Sequence, residues 1–312
     1  MATRVVSGDR RVGESSVQRL RRRVWREKSA YLFIAPGVII FSTFTLAAVI
    51  FAMYLTFHRW SVIEPEKPFV GLQNYEDMIH DERFVQSVLN TIYFTGASVP
   101  VTMAIGLMLA LLLNQPIRGR AIFRTAYYLP VLTPFVVSAL LWKWLYNGQF
   151  GLFNFYLLKA HLIDEPLLWL SDKNLAMPAV VLMTIWTGVG FSMVVYLAGL
   201  QSIPAHMYES AKLDGAGVLK RIRYITIPML RPTTVFLLVI GIIGSLQVFT
   251  QIFIMTSGGP VNKTTTMVYY MYLWAFKFYD MGYASTLAFA LFVMLLAFTA
   301  FQLRLFRSWE DT

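Results

Sequence analysis

Cysteine is absent from all 312 residues, which excludes disulfides, thiolate metal sites and cysteine nucleophiles together. Charge is scarce as well, at 14% of the chain, where a soluble domain carries about 25%. Histidine occurs four times, at His58, His80, His161 and His206, in or beside loops and far apart in sequence. No pair has the spacing of metal ligands, so no metal site is expected. A G-x-x-x-x-G-K-[ST] phosphate loop is also missing, and with it P-loop nucleotide hydrolysis on this polypeptide. The acidic groups Glu76, Asp77, Asp81 and Glu82, and the pair Asp164 and Glu165, stand in polar loops with nothing apolar to separate their pKa values. They read as solvated faces rather than acid/base pairs.

What remains is apolar bulk: 57% of the residues are hydrophobic, with 24 Phe, 16 Tyr, 8 Trp and 15 Met. Residues 30 to 57 hold no charge over 28 positions, more than the roughly 20 a helix needs to cross a bilayer. Further apolar stretches at about 88–113, 125–146, 175–200, 232–256 and 283–303 bring the expected spans to six. The third is interrupted by Pro130 and Pro134, and its Trp142-Lys143-Trp144 reads as an interfacial belt with a snorkelling lysine.

Six spans put both termini and two loops on one side. That side holds 19 Lys and Arg against 8 on the other, so the positive-inside rule places both termini in the cytoplasm. The net charge of +10 divides as about +12 inside and −2 outside, and needs no nucleic acid to account for it. The basic segment 1–29, with its run Gln18 to Lys28, suits anionic headgroups beside the first span. Residues 30–307 are read as one transmembrane domain and 308–312 as a cytoplasmic tail.

Between the fourth and fifth spans, on the positive side, lies a loop over 203–228. Pro204 starts an expected amphipathic helix over about 205–213 that Asp214-Gly215 closes, and a second helical stretch runs from near Ala216 until Pro228 breaks it. Two short helices joined by a glycine turn make an elbow that can carry motion from a soluble partner into the spans. Glu209, Ser210, Ala211, Gly215, Ile225 and Pro228 stand at the spacing of the E-A-A, Gly, I-x-L-P signature. On these residues the chain resembles the permease subunits of binding-protein-dependent ABC importers. It departs in Ser210, where that family has Ala, and in Ile227, where it has Leu. GLQNYEDM (71–78), YYLPVLTP in the third span and TSGGPVNKTT (256–265) are similar to the carbohydrate branch, which includes maltose and glycerol-phosphate permeases.

The resemblance implies an all-α membrane protein of type I importer architecture, six transmembrane helices with a cytoplasmic coupling helix, in a bacterial or archaeal cytoplasmic membrane. It implies four kinds of partner: a second permease subunit, two ATP-binding subunits, an extracytoplasmic solute-binding protein and membrane lipid. ATP and Mg would sit on the ATPase, with no cofactor and no catalysis here. Glu209 would meet a basic residue of the ATPase, Ser210 and Ala211 would allow close approach, and Asp214 and Gly215 would turn the chain.

A sugar needs hydrogen-bonding groups for its hydroxyls and aromatic faces for its C–H surface. Gln247 and Gln251 are four apart, hence on one helical face, with Phe249 and Phe253 near; span four offers Thr184, Trp186, Thr187, Gly188 and Phe191. Hydrogen bonding between helices, with no ligand, accounts for the same residues. Lys143 is the one basic group near this path, which favours a neutral solute over a glycerophosphodiester or glycerol-phosphate. The loop 256–265 is read either as a contact for the binding protein or as a plain turn. A six-span enzyme acting on lipid-linked substrates would need acids or histidines clustered at one face, and the inner side offers Glu209 and Asp214 alone. A secondary carrier would need intramembrane charge or an inverted repeat.

Overall fold

The computed structural model describes residues 28–307. The tail 308–312, and the basic segment 1–29 apart from the backbone of its last two residues, lie outside the described residues. The described residues are mostly helical and carry two isolated β-bridges, His58 with Phe69 and Ser61 with Asp280. The first span is built from α1 (Lys28–Ile40) and α2 (Ala47–Leu55), joined by a π-helical stretch, Phe41–Leu46. It is apolar all round, and only 6% of its most hydrophobic stretch is buried. One compact unit ends at Tyr54 and the other begins at Leu55.

The second unit is organised on two long helices, preceded by α3 (Gln73–His80). Asp81 caps α4 (Glu82–Leu113), its Oδ1 accepting from the Arg83 amide at 2.9 Å. α8 (Ala176–Ser202) packs along α4 and is the most enclosed of the long apolar helices, 61% buried. Glycines let α8 approach its neighbours closely. A Cβ on Gly106 would stand 2.5 Å from the Ser192 Cβ, and one on Gly190 would stand 2.3 Å from the Tyr127 carbonyl oxygen. Small residues at such crossings let apolar helices gain dispersion contacts where lipid offers no hydrophobic driving force.

Two expected spans are not single helices. α5 (Arg120–Leu132) and α6 (Phe135–Leu145) meet at 99°, because Pro134 gives no N–H to continue α5 and serves instead as the N-cap of α6. α7 (Leu152–Lys159) follows in the next loop. The expected fifth span, 232–256, is α12 (Arg231–Leu246) and then, after Gln247–Phe249 leave helical geometry, a short α13 (Thr250–Met255). Among the described residues four helices are long and apolar enough to cross a membrane, and two bent pairs, α5 with α6 and the stretch Val218–Met229 with α12, bring the number up to six. Nor does Lys143 snorkel freely: its Nζ donates to the Ile254 carbonyl at 3.0 Å, tying α6 to α13, while Trp142 is buried.

On the expected outer side, α14 (Met267–Phe276) is an apolar helix that the six expected spans did not include, and its 10 residues are too few to cross. The loop before it is anchored: Asn90 donates to the Asn262 and Thr265 carbonyls at 2.8 and 2.9 Å, and the Met267 amide donates to Thr91 Oγ1 at 3.0 Å. The last span, α15 (Met281–Arg307), packs on α14. Asp81 is not a freely solvated carboxylate, since Tyr270 and Tyr283 donate to its Oδ2 at 2.5 and 2.8 Å. Burial, then that bond to Asp81, raises the Tyr270 phenol above its ordinary range, so it stays a donor.

Candidate functional site

The elbow follows from local chemistry. α9 (Ala205–Leu213) begins after Pro204, whose ring fixes an extended entry, and ends at Asp214. Gly215 takes φ +74°, its N–H reaching the Lys212 carbonyl at 3.1 Å while the Ala216 N–H reaches Ala211 at 2.8 Å. That pair of bonds is a Schellman motif, satisfying carbonyls the helix end would leave orphaned. α10 (Val218–Arg221) continues as a π-helical stretch, Ile222–Thr226, into α11 (Ile227–Met229). The expected break at Pro228 therefore falls two residues later, at Leu230, where the chain turns by 63° into α12. The wide turn moves the hydrogen-bond ladder by one residue just ahead of Pro228, with the Ile227 N–H bonding Ile222, and the missing proline donor is absorbed.

One face of α9 is held down and the other is free. Met207 and Tyr208 pack on the main core, and the Tyr208 hydroxyl lies 3.0 Å from Thr226 Oγ1 in the π-helical stretch. Glu209, Ser210, Asp214 and Gly215 are exposed, Ala211 is half-buried, and Leu213 and Leu219 are 90% and 82% exposed. Glu209 and Asp214 stand beside bare leucines on a braced helix, with Lys212 and Lys220 exposed among them, a mixed charged and apolar surface of the kind proteins dock on.

Above the elbow, α4, α8, α12 and the break before α13 enclose a cavity of about 400 Å³. Thr184, Thr187, Gly188 and Phe191 line it from α8; Gln247, Phe249 and Gln251 line it from the break and α13. The premise that placed the two glutamines on one helical face does not hold, because the helix ends between them. Both reach the cavity through the bend instead. Trp186 is not among the lining residues; its ring packs 5.7 Å from Trp142 on α6. Sequence reasoning missed the contribution of α4, including Phe94, Ser98 and Thr102, and also Phe135, Ser192 and Ser245. The available signal was the polar series Thr91, Thr95, Ser98 and Thr102, at three- and four-residue spacing in a span that is mostly apolar.

None of the described residues lining the cavity carries a charge. Four of the lining hydroxyls donate within their own helices: Ser98 to Phe94 at 2.6 Å, Thr184 to Val180 at 2.9 Å, Thr187 to Thr184 at 2.9 Å and Ser245 to Ile242 at 3.0 Å. Gln247 Nε2 likewise donates to Ile243 at 3.2 Å. With their protons directed into carbonyls, these oxygens offer lone pairs to the cavity. The chemistry presented is a set of neutral hydroxyls and amides between aromatic faces. Among the described residues no group of His, Asp and Glu could hold a metal ion.

A family model described as a binding-protein-dependent transport system inner membrane component matches residues 80–310. The trehalose/maltose transport system permease protein MalF of Thermococcus litoralis is 35% identical over 287 residues, 91% of this chain and 95% of that protein. A crystal structure of a bacterial ABC transporter involved in the import of the acidic polysaccharide alginate superposes with a TM-score of 0.82 at 26% identity, over 93% of this chain and 99% of that one. A second alginate transporter structure, in complex with alginate pentasaccharide-bound periplasmic protein, superposes with a TM-score of 0.83 at 25% identity, covering 94% and 99%.

Proposed function

We propose a function from the premise that this chain belongs to the family of binding-protein-dependent transport system inner membrane components: it is the permease subunit through which an ATP-driven importer passes a neutral sugar or oligosaccharide. An extracytoplasmic binding protein delivers the solute, as the alginate complex with its periplasmic protein supports. A second permease subunit completes the path, and two ATP-binding subunits hold ATP and Mg and grip the elbow through Glu209, Ser210, Ala211, Asp214 and Gly215. Both termini face the cytoplasm, on the charge count. Closure of the ATPase pair pulls on α9, and the Tyr208–Thr226 contact passes that pull into the bent segment leading to α12. The spans then rock between inward-open and outward-open states as rigid bodies.

The observation that carries the substrate class is the uncharged wall of hydroxyls, amides and aromatic rings around the cavity. Sugar hydroxyls are donors in abundance, and Phe191 and Phe249 supply flat faces for the C–H surface. A glycerophosphodiester or glycerol-phosphate, carried by the same machinery, would leave its charge unpaired in this wall, at a cost that disfavours it. Uptake by the assembled importer in membrane vesicles, with ATP supplied on the ATPase side, tests the assignment. Neutral saccharides should accumulate only when ATP and the binding protein are both present. Preferential accumulation of acidic saccharides or phosphodiesters would overturn it.

A further inference from the structure

The cavity has a neighbour. A second hollow of about 330 Å³ lies between α14 and α15, and Phe249 forms part of both walls. Its lining is apolar apart from the hydroxyls of Tyr272 and Ser285. From Phe249 a file of rings leads along it. Phe253 stacks on Phe249 at 5.3 Å and 23°, Tyr272 stands 5.2 Å from Phe249 and 5.4 Å from Phe253, and Phe276 follows Tyr272 at 5.4 Å and 33°. Phe253, beside the start of the file, is 41% exposed, and the file is open at its far end, where Phe276 is 58% exposed.

Resting on the carbohydrate reading, we propose that Phe249, Phe253, Tyr272 and Phe276 form a stacking path for successive rings of a linear oligosaccharide, whose leading unit enters the hydroxyl-lined cavity. The two hollows divide the chemistry of a sugar between them. The first satisfies hydroxyl donors with neutral oxygens; the second offers ring faces to the apolar C–H surface and asks for almost no hydrogen bonds. A monosaccharide is served by the first hollow alone. A longer chain has further rings to place, and the continuous wall at Phe249 leads them onto the file rather than into lipid. Continuity with the polar cavity is what assigns a saccharide to this face instead of a second protein chain, since a protein partner would not require the shared wall.

The test is uptake of a series of neutral linear oligosaccharides, from disaccharide to heptasaccharide, by the full importer carrying Phe276→Ala, with Phe276→Trp beside it. Heptasaccharide uptake should fall about tenfold in the alanine variant, about 1.4 kcal/mol of lost stacking, while disaccharide uptake stays within about twofold and tryptophan restores the longer chain. An equal fall at both lengths, or no fall, overturns the path. Loss of the second permease subunit on purification of Phe276→Ala also overturns it, because the face would then be a protein interface. A wild-type importer that carries no member of the series defeats the carbohydrate reading itself, and is told apart by failing before any substitution is made.

Discussion

At the elbow, Gly215 stands at φ +74° with nothing within 4 Å of where a Cβ would lie. Within α8, Gly190 has helical backbone, and a Cβ there would meet the Tyr127 carbonyl at 2.3 Å and the Val131 side chain at 2.9 Å. One glycine is required by conformation and the other by space. The difference divides the molecule into a part that makes its shape from local hydrogen bonds and stays open to a partner, and a part that makes its shape from close packing and has no room to spare. A coupling device needs both: a surface that another protein can grip, and a bundle stiff enough to pass the movement on.

Crowding the bundle should do the most damage. Gly190→Val forces α5 away from α8 against backbone rather than a flexible side chain, at about 3 kcal/mol or more. The expected outcome is little extractable, monodisperse protein, read by size-exclusion chromatography after membrane solubilisation. Normal recovery would mean that the close approach of these helices is not what holds them.

Reversing charge at the elbow should leave the bundle alone. Glu209 is exposed, so Glu209→Lys should fold and insert as the unsubstituted chain does, yet uptake should drop to background and the ATPase should be lost on co-purification. Normal uptake would break the division of labour, since the free face of α9 would then not be the gripped one. Tyr208, braced against Thr226, gives an internal reference: its loss should weaken coupling without detaching the ATPase.

Which features could be read from residues alone follows the same division. Pro204, the α9 helix and the Asp214-Gly215 turn were legible because short-range rules decide them, and the observed helix covers Ala205–Leu213. Long uninterrupted spans were legible because apolar length decides them. The bends were not. Pro228 looked like a breaker, yet a π-helical stretch absorbs it, while the fifth span breaks at Gln247–Phe249, which contains neither proline nor glycine. Tertiary packing sets that break, and hydropathy is blind to it. Trp186 shows the same limit: a polar-aromatic run marks a helix as suited to a cavity without saying which of its faces turns inward, and this ring turns toward Trp142. The cavity wall on α4 is set by pairings nearly ninety residues apart in sequence, such as Gly106 with Ser192, and no local pattern announces them.

The subtlest way to sharpen the contrast is at Gly215 itself. Alanine there meets no neighbour, so any effect must come from the left-handed backbone, which costs an L-residue about 1–2 kcal/mol. Asparagine tolerates that conformation far better. Gly215→Ala should therefore reduce uptake several-fold by loosening the end of α9, with the bundle intact, and Gly215→Asn should recover most of it although its side chain is larger. If uptake instead fell with side-chain size, asparagine below alanine, space would matter at the elbow as it does at Gly190. The crowding would then have to come from the ATPase pressed against it, because this chain places nothing there.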